Sequence, residues 1–138
     1  MTYTDAMPRD PNAEPRRACI LVVDDEPAVR RYVRRVLEAE GYEVHEARDG
    51  LEAMERIQAE PERWDLVVSD ILMPRSNGVE LHQYISTRGS RCAVILMSGY
   101  GTAQLAERGI AAPCGVLAKP FESQQLLDEV RRCLTVRT

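Results

Sequence analysis

Short apolar segments alternate with amphipathic segments along most of the chain. The apolar segments lie at Cys19–Val23, 66–68, 93–97 and Gly115–Ala118, and they are rich in aliphatic and β-branched residues. Runs of this length and composition are typical of strands buried on both faces. The stretch YEVHEA at 42–47 instead alternates apolar with polar residues, which predicts a strand at the edge of the sheet.

Five segments with apolar residues at helical spacing follow these strands. The first comes directly after Pro27, a favourable first-turn residue, and is expected to end before Gly41. The predicted helices are centred on residues 29–37, 51–57, 79–85, 102–108 and 126–134. Five strands alternating with five helices predict an α/β fold, with a single doubly wound parallel sheet covered by helices on both faces.

The chain has 138 residues, enough for one domain with a full core. Residues 1–17 carry three prolines and almost no apolar content, so we expect a flexible N-terminal tail. Residues 18–138 are predicted to form the domain. The short stretch after Lys119 has room for one helix, and we therefore expect no separate output domain.

The overall charge and hydropathy narrow the class of function. A net charge of −4 and a pI near 5.3 argue against direct binding of nucleic acid. The sequence has neither an apolar run of membrane-spanning length nor the apolar core of a signal peptide. These features favour a cytoplasmic protein that does not bind membranes.

The four cysteines are widely spaced, without a C-x-x-C motif. Cys19, Cys92 and Cys114 stand near the starts of apolar segments, where a cysteine behaves as a small buried hydrophobic residue. If the strands that begin at Cys92 and Cys114 are neighbours, the two thiols can come into contact by accident, which is not evidence of a redox function. We expect no disulfide and no zinc site.

Polar side chains with complementary chemistry follow four of the predicted strands. Asp24 and Asp25 follow the first strand, Asp70 the third, Ser98 the fourth and Lys119 the fifth. The carboxyl ends of parallel strands meet at one edge of the sheet, so we expect these residues to lie close together. Clustered carboxylates need a cation, and Mg²⁺ suits them because it binds a few carboxylates and a phosphate oxygen.

The same residues support a chemical role as a set. Helix capping or turn formation is an adequate explanation for each of them alone. Together, a carboxylate nucleophile, a metal site, a hydroxyl and an ammonium group favour phosphoryl transfer to Asp70, which would form an aspartyl phosphate.

Five motifs in the chain closely resemble those of the receiver domains of two-component response regulators, including chemotaxis receivers. They are ILVVDDEP, GYEVHEARDGLEA, DLVVSDILMPRSNGVEL, VILMSGYG and GVLAKPF, and the resemblance covers about residues 18–136. It implies a flavodoxin-like sheet with strand order 2-1-3-4-5. It also implies a phosphorylation-activated signalling switch rather than a conventional enzyme, with Mg²⁺-dependent self-phosphorylation from small donors and dephosphorylation.

The resemblance also implies the roles of individual residues. Asp70 would accept a phosphoryl group from a sensor histidine kinase or a histidine phosphotransfer protein in a phosphorelay. Asp24, Asp25 and Asp70 would hold Mg²⁺ together with the backbone carbonyl of Leu72.

Ser98 and Lys119 would contact the phosphoryl oxygens, and the Lys119-Pro120 peptide bond is expected to be cis. Phosphorylation would then shift the surface formed by the fourth predicted helix, the fifth strand and the fifth predicted helix, through which the protein would contact an unknown downstream protein.

The chain departs from the family pattern at three positions. Val116 stands three residues before Lys119, where many receivers carry an aromatic switch residue. Tyr100 is a candidate substitute, although an ordinary loop aromatic is an equally good interpretation. Leu72 and Tyr100, two residues beyond Asp70 and Ser98, are bulky, and our hypothesis is that they hinder the hydrolytic water and prolong the phosphorylated state.

An arginine-rich face on the first predicted helix has two interpretations. It is either a docking surface for an acidic partner or a solvated face interspersed with acids, and the second is favoured. The arginines are Arg30, Arg31, Arg34 and Arg35.

Two other classes of function compete with the switch. A Mg²⁺-dependent phosphohydrolase would use the same nucleophile, but its usual D-x-D motif and cap domain are missing from this sequence. A phosphorylation-independent interaction module would typically lack one of the acids, the hydroxyl or the lysine. The sequence leaves open the cognate kinase, the signal, the downstream target, dimerisation on phosphorylation, and whether the receiver belongs to a longer protein.

Overall fold

The computed structural model describes residues 17–71, 73, 78–88, 91–99 and 113–136. Residues 1–16 of the predicted tail (1–17), the predicted helix at 102–108, and the candidate modulators Leu72 and Tyr100 lie outside the described residues. Within the described part, no helix is both long enough and apolar enough to cross a membrane.

Five parallel strands form one sheet in the order β2-β1-β3-β4-β5. The predicted sheet and its strand order are therefore confirmed. The strands are β1 (Cys19–Val23), β2 (Glu43–Ala47), β3 (Leu66–Asp70), β4 (Ala93–Ser98) and β5 (Gly115–Ala118).

The described residues contain four helices where the sequence predicted five. The segment predicted as the fourth, 102–108, is outside the described residues, and the other four predicted helices are present. They are α1 (Pro27–Ala39), α2 (Gly50–Ala59), α3 (Gly78–Thr87) and α4 (Ser123–Val136).

Local sequence signals account for the ends of two helices. Pro27 occupies the first turn of α1, and Gly41 adopts a φ of 93° just beyond its end, a conformation that favours glycine. Asp49 caps α2 because its Oδ1 accepts a 2.9 Å hydrogen bond from the backbone N–H of Glu52.

Both faces of the sheet are covered by apolar side chains, as expected for a doubly wound fold. Successive β1 residues point to opposite faces, so Leu21 packs with α2 and α3 whereas Ile20 packs with α1 and α4. Because apolar residues fill both faces of the sheet, polar side chains lie at the ends of the strands.

A disulfide joins Cys114, which precedes β5, to Cys133 on α4. The prediction of no disulfide was wrong. Helix α4 runs back along the sheet and brings Cys133 to the amino end of β5, with a Cα–Cα distance of 5.9 Å, within the range that a disulfide spans. Cys19 and Cys92 are not disulfide-bonded.

Candidate functional site

The residues predicted to form a site stand at one edge of the sheet. Asp24 directly follows β1, Asp70 is the last residue of β3, Ser98 is the last of β4, and Lys119 directly follows β5. The backbone ties these ends together, because the N–H of Lys119 donates a 2.8 Å hydrogen bond to the carbonyl of Ser98. Strand register places Met97, the neighbour of Ser98, directly opposite Asp70. We call this edge the acidic edge.

Three carboxylates converge at the acidic edge. Asp24 is fully buried, Asp70 is buried with 8% of its surface exposed, and Asp25 is exposed. A carboxylate oxygen from each lies within 4.8 Å of the other two. One side of this group therefore faces solvent, while the remainder is held in the fold.

Lys119 places an ammonium group between the two buried acids. Its Nζ lies 3.3 Å from Asp24 Oδ2 and 3.1 Å from Asp70 Oδ2. The lysine side chain is 23% exposed, so it reaches the acids from the rim of the site. The Lys119-Pro120 peptide bond is cis, as predicted.

Burial and charge shift the titration of these groups in a consistent way. Burial raises the pKa of Asp24, and the nearby charge of Asp70 adds to that rise, despite the N–H of Glu26 and the ammonium of Lys119. Burial alone would lower the pKa of Lys119, but Asp24 and Asp70 outweigh it, so that pKa is raised. The ammonium of Lys119 therefore does not fully offset the effect of burial and of the Asp70 charge on Asp24.

The donor set fits a hard divalent cation. All three side chains offer carboxylate oxygens within 4.8 Å of one another, and a cation bound among them would neutralise part of their charge. Mg²⁺ typically binds through one or two carboxylates, several waters and a phosphate oxygen. The remaining predicted ligand, the carbonyl of Leu72, is outside the described residues.

Gly78 has a structural role at this site that the sequence did not reveal. A Cβ on Gly78 would collide with the backbone carbonyl oxygen of Asp70, and the Gly78 N–H donates a 2.9 Å hydrogen bond to the carbonyl of Ile71. The first turn of α3 therefore packs directly on the backbone that carries Asp70. In the sequence, Asn77-Gly78 is an ordinary loop signal. A single sequence gives no further sign that the backbone at Gly78 lies close to another backbone segment.

Val116 and the arginines of α1 are the remaining candidate residues that the structure describes. Val116 faces Leu96 across the β4–β5 pair and packs against the apolar cluster on the α2 and α3 side. On α1, Arg30 and Arg34 pair with Glu46 of β2 at 2.7 Å and 2.8 Å, whereas Arg31 and Arg35 are exposed. Half of the arginine face is therefore engaged within the fold.

Known proteins share this fold and these sequence features. The response regulator receiver domain family matches residues 20–131. The sensor kinase CckA of Brucella abortus is 38% identical over 118 residues, which are 85% of this chain and 12% of that protein. The response regulator MprA of Mycobacterium ulcerans is 36% identical over 116 residues, which are 83% of this chain and 49% of MprA.

A solved structure gives the same result. The response regulator TrrA of Thermotoga maritima, in complex with Mg²⁺-BeF, superposes with a TM-score of 0.73 at 30% identity, covering 84% of this chain and 98% of TrrA. The chain belongs to the response regulator receiver domain family of two-component signalling. It spans about half the length of MprA and a smaller part of CckA.

Proposed function

We propose that the chain is a phosphorylation-activated switch in which Asp70 accepts a phosphoryl group from a histidine kinase or a phosphotransfer protein. The observation that carries this proposal is the position of the Asp70 carboxylate. It lies at the carboxyl edge of the sheet, 3.1 Å from the ammonium of Lys119 and within 4.8 Å of two further acids. Residues 18–138 would act as the receiver domain.

In the proposed reaction, an oxygen of Asp70 attacks the phosphorus of a phosphohistidine. The new P–O bond forms as the P–N bond breaks, and the imidazole leaves with the electron pair and takes up a proton. Phosphoryl transfer of this kind needs positioning and charge neutralisation above all. Lys119 supplies a positive charge beside the incoming phosphoryl oxygens, and Ser98 supplies a hydroxyl donor at the adjacent strand end.

We propose that Asp24, Asp25, Asp70 and the carbonyl of Leu72 hold Mg²⁺ at this edge. When bound, the ion would neutralise charge on the carboxylates and on the transferred phosphoryl group. Support comes from the all-oxygen donor set and from the relative TrrA, whose structure was solved with Mg²⁺-BeF. The fully buried Asp24 would be the most rigid of these ligands.

The proposed output is contact with another protein through the surface of β5, α4 and the predicted helix at 102–108. Lys119 supports this choice, since it links the acidic edge to the end of β5 and to the segment that enters α4. A phosphoryl group on Asp70 would compete for the Lys119 ammonium. Phosphorylation would shift the balance between two packings of this surface only as far as the phosphoryl group interacts more favourably with one packing than with the other.

The test is intact mass spectrometry of the chain after incubation with acetyl phosphate, with and without Mg²⁺. The wild type should gain the mass of one phosphoryl group only when Mg²⁺ is present, and Asp70→Asn should gain none. Asp128→Asn, at an exposed position on α4, is the matched control and should behave as wild type. A gain in Asp70→Asn would contradict the assignment.

The same experiment separates the competing classes of function. If neither acetyl phosphate nor a phosphorylated histidine donor modifies the wild type, the chain is a phosphorylation-independent interaction module. Steady release of phosphate from a small phosphate ester would instead favour the phosphohydrolase.

A further inference from the structure

Three side chains of different ligand chemistry converge at the opposite, amino-terminal edge of the sheet. Cys19 is the first residue of β1 and lies directly across from Glu43, the first residue of β2. His45 stands two residues further along β2, so it projects from the same face as Glu43. We call these three residues the amino-edge cluster.

The ligand atoms of the amino-edge cluster are close together. Cys19 Sγ lies 3.6 Å from Glu43 Oε2, and His45 Nε2 lies 2.7 Å from the same oxygen. All three atoms are within 4.8 Å of one another. A tetrahedral Zn²⁺ ion with bonds of about 2.0–2.3 Å separates its ligands by roughly 3.3–3.8 Å, so shifts of about 1 Å or less would suffice.

We propose that the amino-edge cluster binds a borderline-soft divalent ion such as Zn²⁺ through Cys19 Sγ, Glu43 Oε and His45 Nε2. A thiolate, an imidazole and a carboxylate together favour Zn²⁺ and its neighbours in the first transition series over Mg²⁺ or Ca²⁺. On binding, the Cys19 thiol releases its proton to solvent. Cys19 and Glu43 line an open cleft together with Arg17 and Arg63, which leaves room for a water molecule as the fourth ligand.

Arg63 occupies part of this position in the metal-free protein. Its Nη2 lies 2.6 Å from Glu43 Oε2 and 3.1 Å from His45 Nε2. The side chain is 37% exposed, and its Nη1 also pairs with Glu60 at 3.1 Å. An exposed ion pair of this kind is worth little, so Arg63 can turn outward while keeping Glu60. Arg63 and the metal ion therefore compete for the same two ligands.

This site goes against the expectation that the cysteines bind no zinc. That expectation was based on the absence of paired cysteines in the sequence. The cluster uses one cysteine with two residues of the neighbouring strand, and it depends on the β1–β2 register. It shares no residue with the acidic edge, so it stands or falls separately from the proposed phosphoryl transfer.

The fluorescence of Trp64 can report metal binding at the amino-edge cluster. Trp64 is the only tryptophan of the chain, and its ring lies edge-on to the His45 ring with 5.4 Å between the centroids. Trp64 is buried, with 6% of its surface exposed. A paramagnetic ion on His45 would therefore quench its fluorescence strongly.

The experiment is a Co²⁺ titration of the chain, followed by visible absorption and by Trp64 fluorescence. Excess Mg²⁺ is added to compete with Co²⁺ for the acidic edge, and thiol reductants are omitted so that the Cys114–Cys133 disulfide stays intact. The wild type should develop a thiolate-to-cobalt charge-transfer band that saturates at one equivalent, together with quenching of Trp64. Added Zn²⁺ should remove the band by displacement.

The variants make the test specific. Cys19→Ser should lose the charge-transfer band, and His45→Gln should bind at least about tenfold more weakly. Arg63→Met should bind more tightly than the wild type, since its competitor is removed. Cys92→Ser is the matched control at the other reduced cysteine and should bind as wild type does.

Two results would overturn the proposal. One is a wild-type titration without a charge-transfer band, and the other is an unchanged band in Cys19→Ser. Far-ultraviolet circular dichroism checks that Cys19→Ser is folded. If Cys19→Ser does not fold, the metal affinity of a folded His45→Gln variant is the test instead, and an affinity equal to that of the wild type would overturn the proposal.

Discussion

The two edges of the sheet hold their charges in opposite ways. At the acidic edge, the ammonium group of Lys119 contacts the two buried acids Asp24 and Asp70, and burial raises the pKa of Asp24. At the amino edge, the pKa of Glu43 is lowered to about 2 by hydrogen bonds from His45 and Arg63. The charge of Glu43 thus stabilises the fold at the amino edge, whereas the buried charge of Asp24 opposes it at the acidic edge, where Lys119 offsets it only in part.

Backbone and covalent contacts reinforce this difference. At the amino edge, the N–H of Cys19 donates a 2.7 Å hydrogen bond to Asp65 Oδ2, and a disulfide joins the start of β5 to α4. The acidic edge instead combines unbalanced carboxylates with a glycine contact that admits no side chain. A site that is proposed to receive a cation and a phosphoryl group is expected to be poorly compensated without them.

The largest effect should come from breaking the covalent link near the amino edge. Cys114→Ser removes a disulfide that spans 19 residues and should lower the free energy of unfolding by about 2–4 kcal/mol. Denaturant unfolding without reductant measures it, and Cys92→Ser is the control. Equal stability of Cys114→Ser and wild type would show that the disulfide does not contribute.

Next in size is the glycine contact at the acidic edge. Gly78→Ala places a Cβ against the backbone of Asp70, and overpacking of this kind costs about 1–3 kcal/mol. It should also slow phosphorylation of Asp70. Gly99→Ala is the matched control, because among the described residues no atom other than those of its chain neighbours lies within 4 Å of a Cβ built there. Similar unfolding midpoints for the two variants would contradict the close-approach argument.

A smaller effect of opposite sign is expected for Asp24→Asn in the absence of Mg²⁺. The pKa of Asp24 is higher in the folded protein than in the unfolded chain, where it is about 3.8. The stability that this carboxyl contributes is therefore fully present below pH 3.8, and it is lost as the pH rises through the folded-state pKa. The variant should therefore be more stable than wild type at neutral pH, with the difference shrinking in acid.

Thermal unfolding in a chelator, at neutral pH and in acid, measures this difference. Asp25→Asn, at the exposed acid, should change the midpoint less. A lower midpoint for Asp24→Asn at neutral pH would mean that the charge of Asp24 stabilises the metal-free fold.

The smallest effect should appear at Glu43. Its folded pKa of about 2 lies below the ordinary value of 4.5, so its contribution is present above pH 4.5 and is lost as pH falls toward 2. Glu43→Gln should be slightly less stable than wild type at pH 6 and equal to it near pH 2. Since the side chain is 35% exposed, solvent screening keeps the difference small. Denaturant unfolding midpoints of the variant and the wild type measure this effect. A difference between them that stays constant from pH 6 to pH 2 would contradict the prediction.

Much of the acidic edge could be predicted from sequence because parallel strands bring their carboxyl ends together. Asp24, Asp70 and Lys119 each come at the end of an apolar run, so the fold class alone predicts that they meet. The strand order and the cis bond before Pro120 came from the resemblance to the family and are confirmed. The roles of Leu72, Tyr100 and Val116 stay predictions.

Other features depend on packing that spacing does not encode. The Cys114–Cys133 disulfide depends on where α4 crosses the sheet, and the contact of Gly78 with Asp70 depends on how α3 approaches β3. The alternation in YEVHEA placed Glu43 and His45 on one face. The position of Cys19 beside them required the register between β1 and β2.

The most direct test of the proposed function locates the phosphoryl group on the chain. The protein is phosphorylated with acetyl phosphate and Mg²⁺, treated with borohydride, which reduces an aspartyl phosphate to homoserine, and sequenced by tandem mass spectrometry. We predict homoserine at Asp70 and none at Asp24 or Asp25. Homoserine at Asp24 or Asp25, with Asp70 unmodified, would contradict the assignment of Asp70 as the phosphoacceptor.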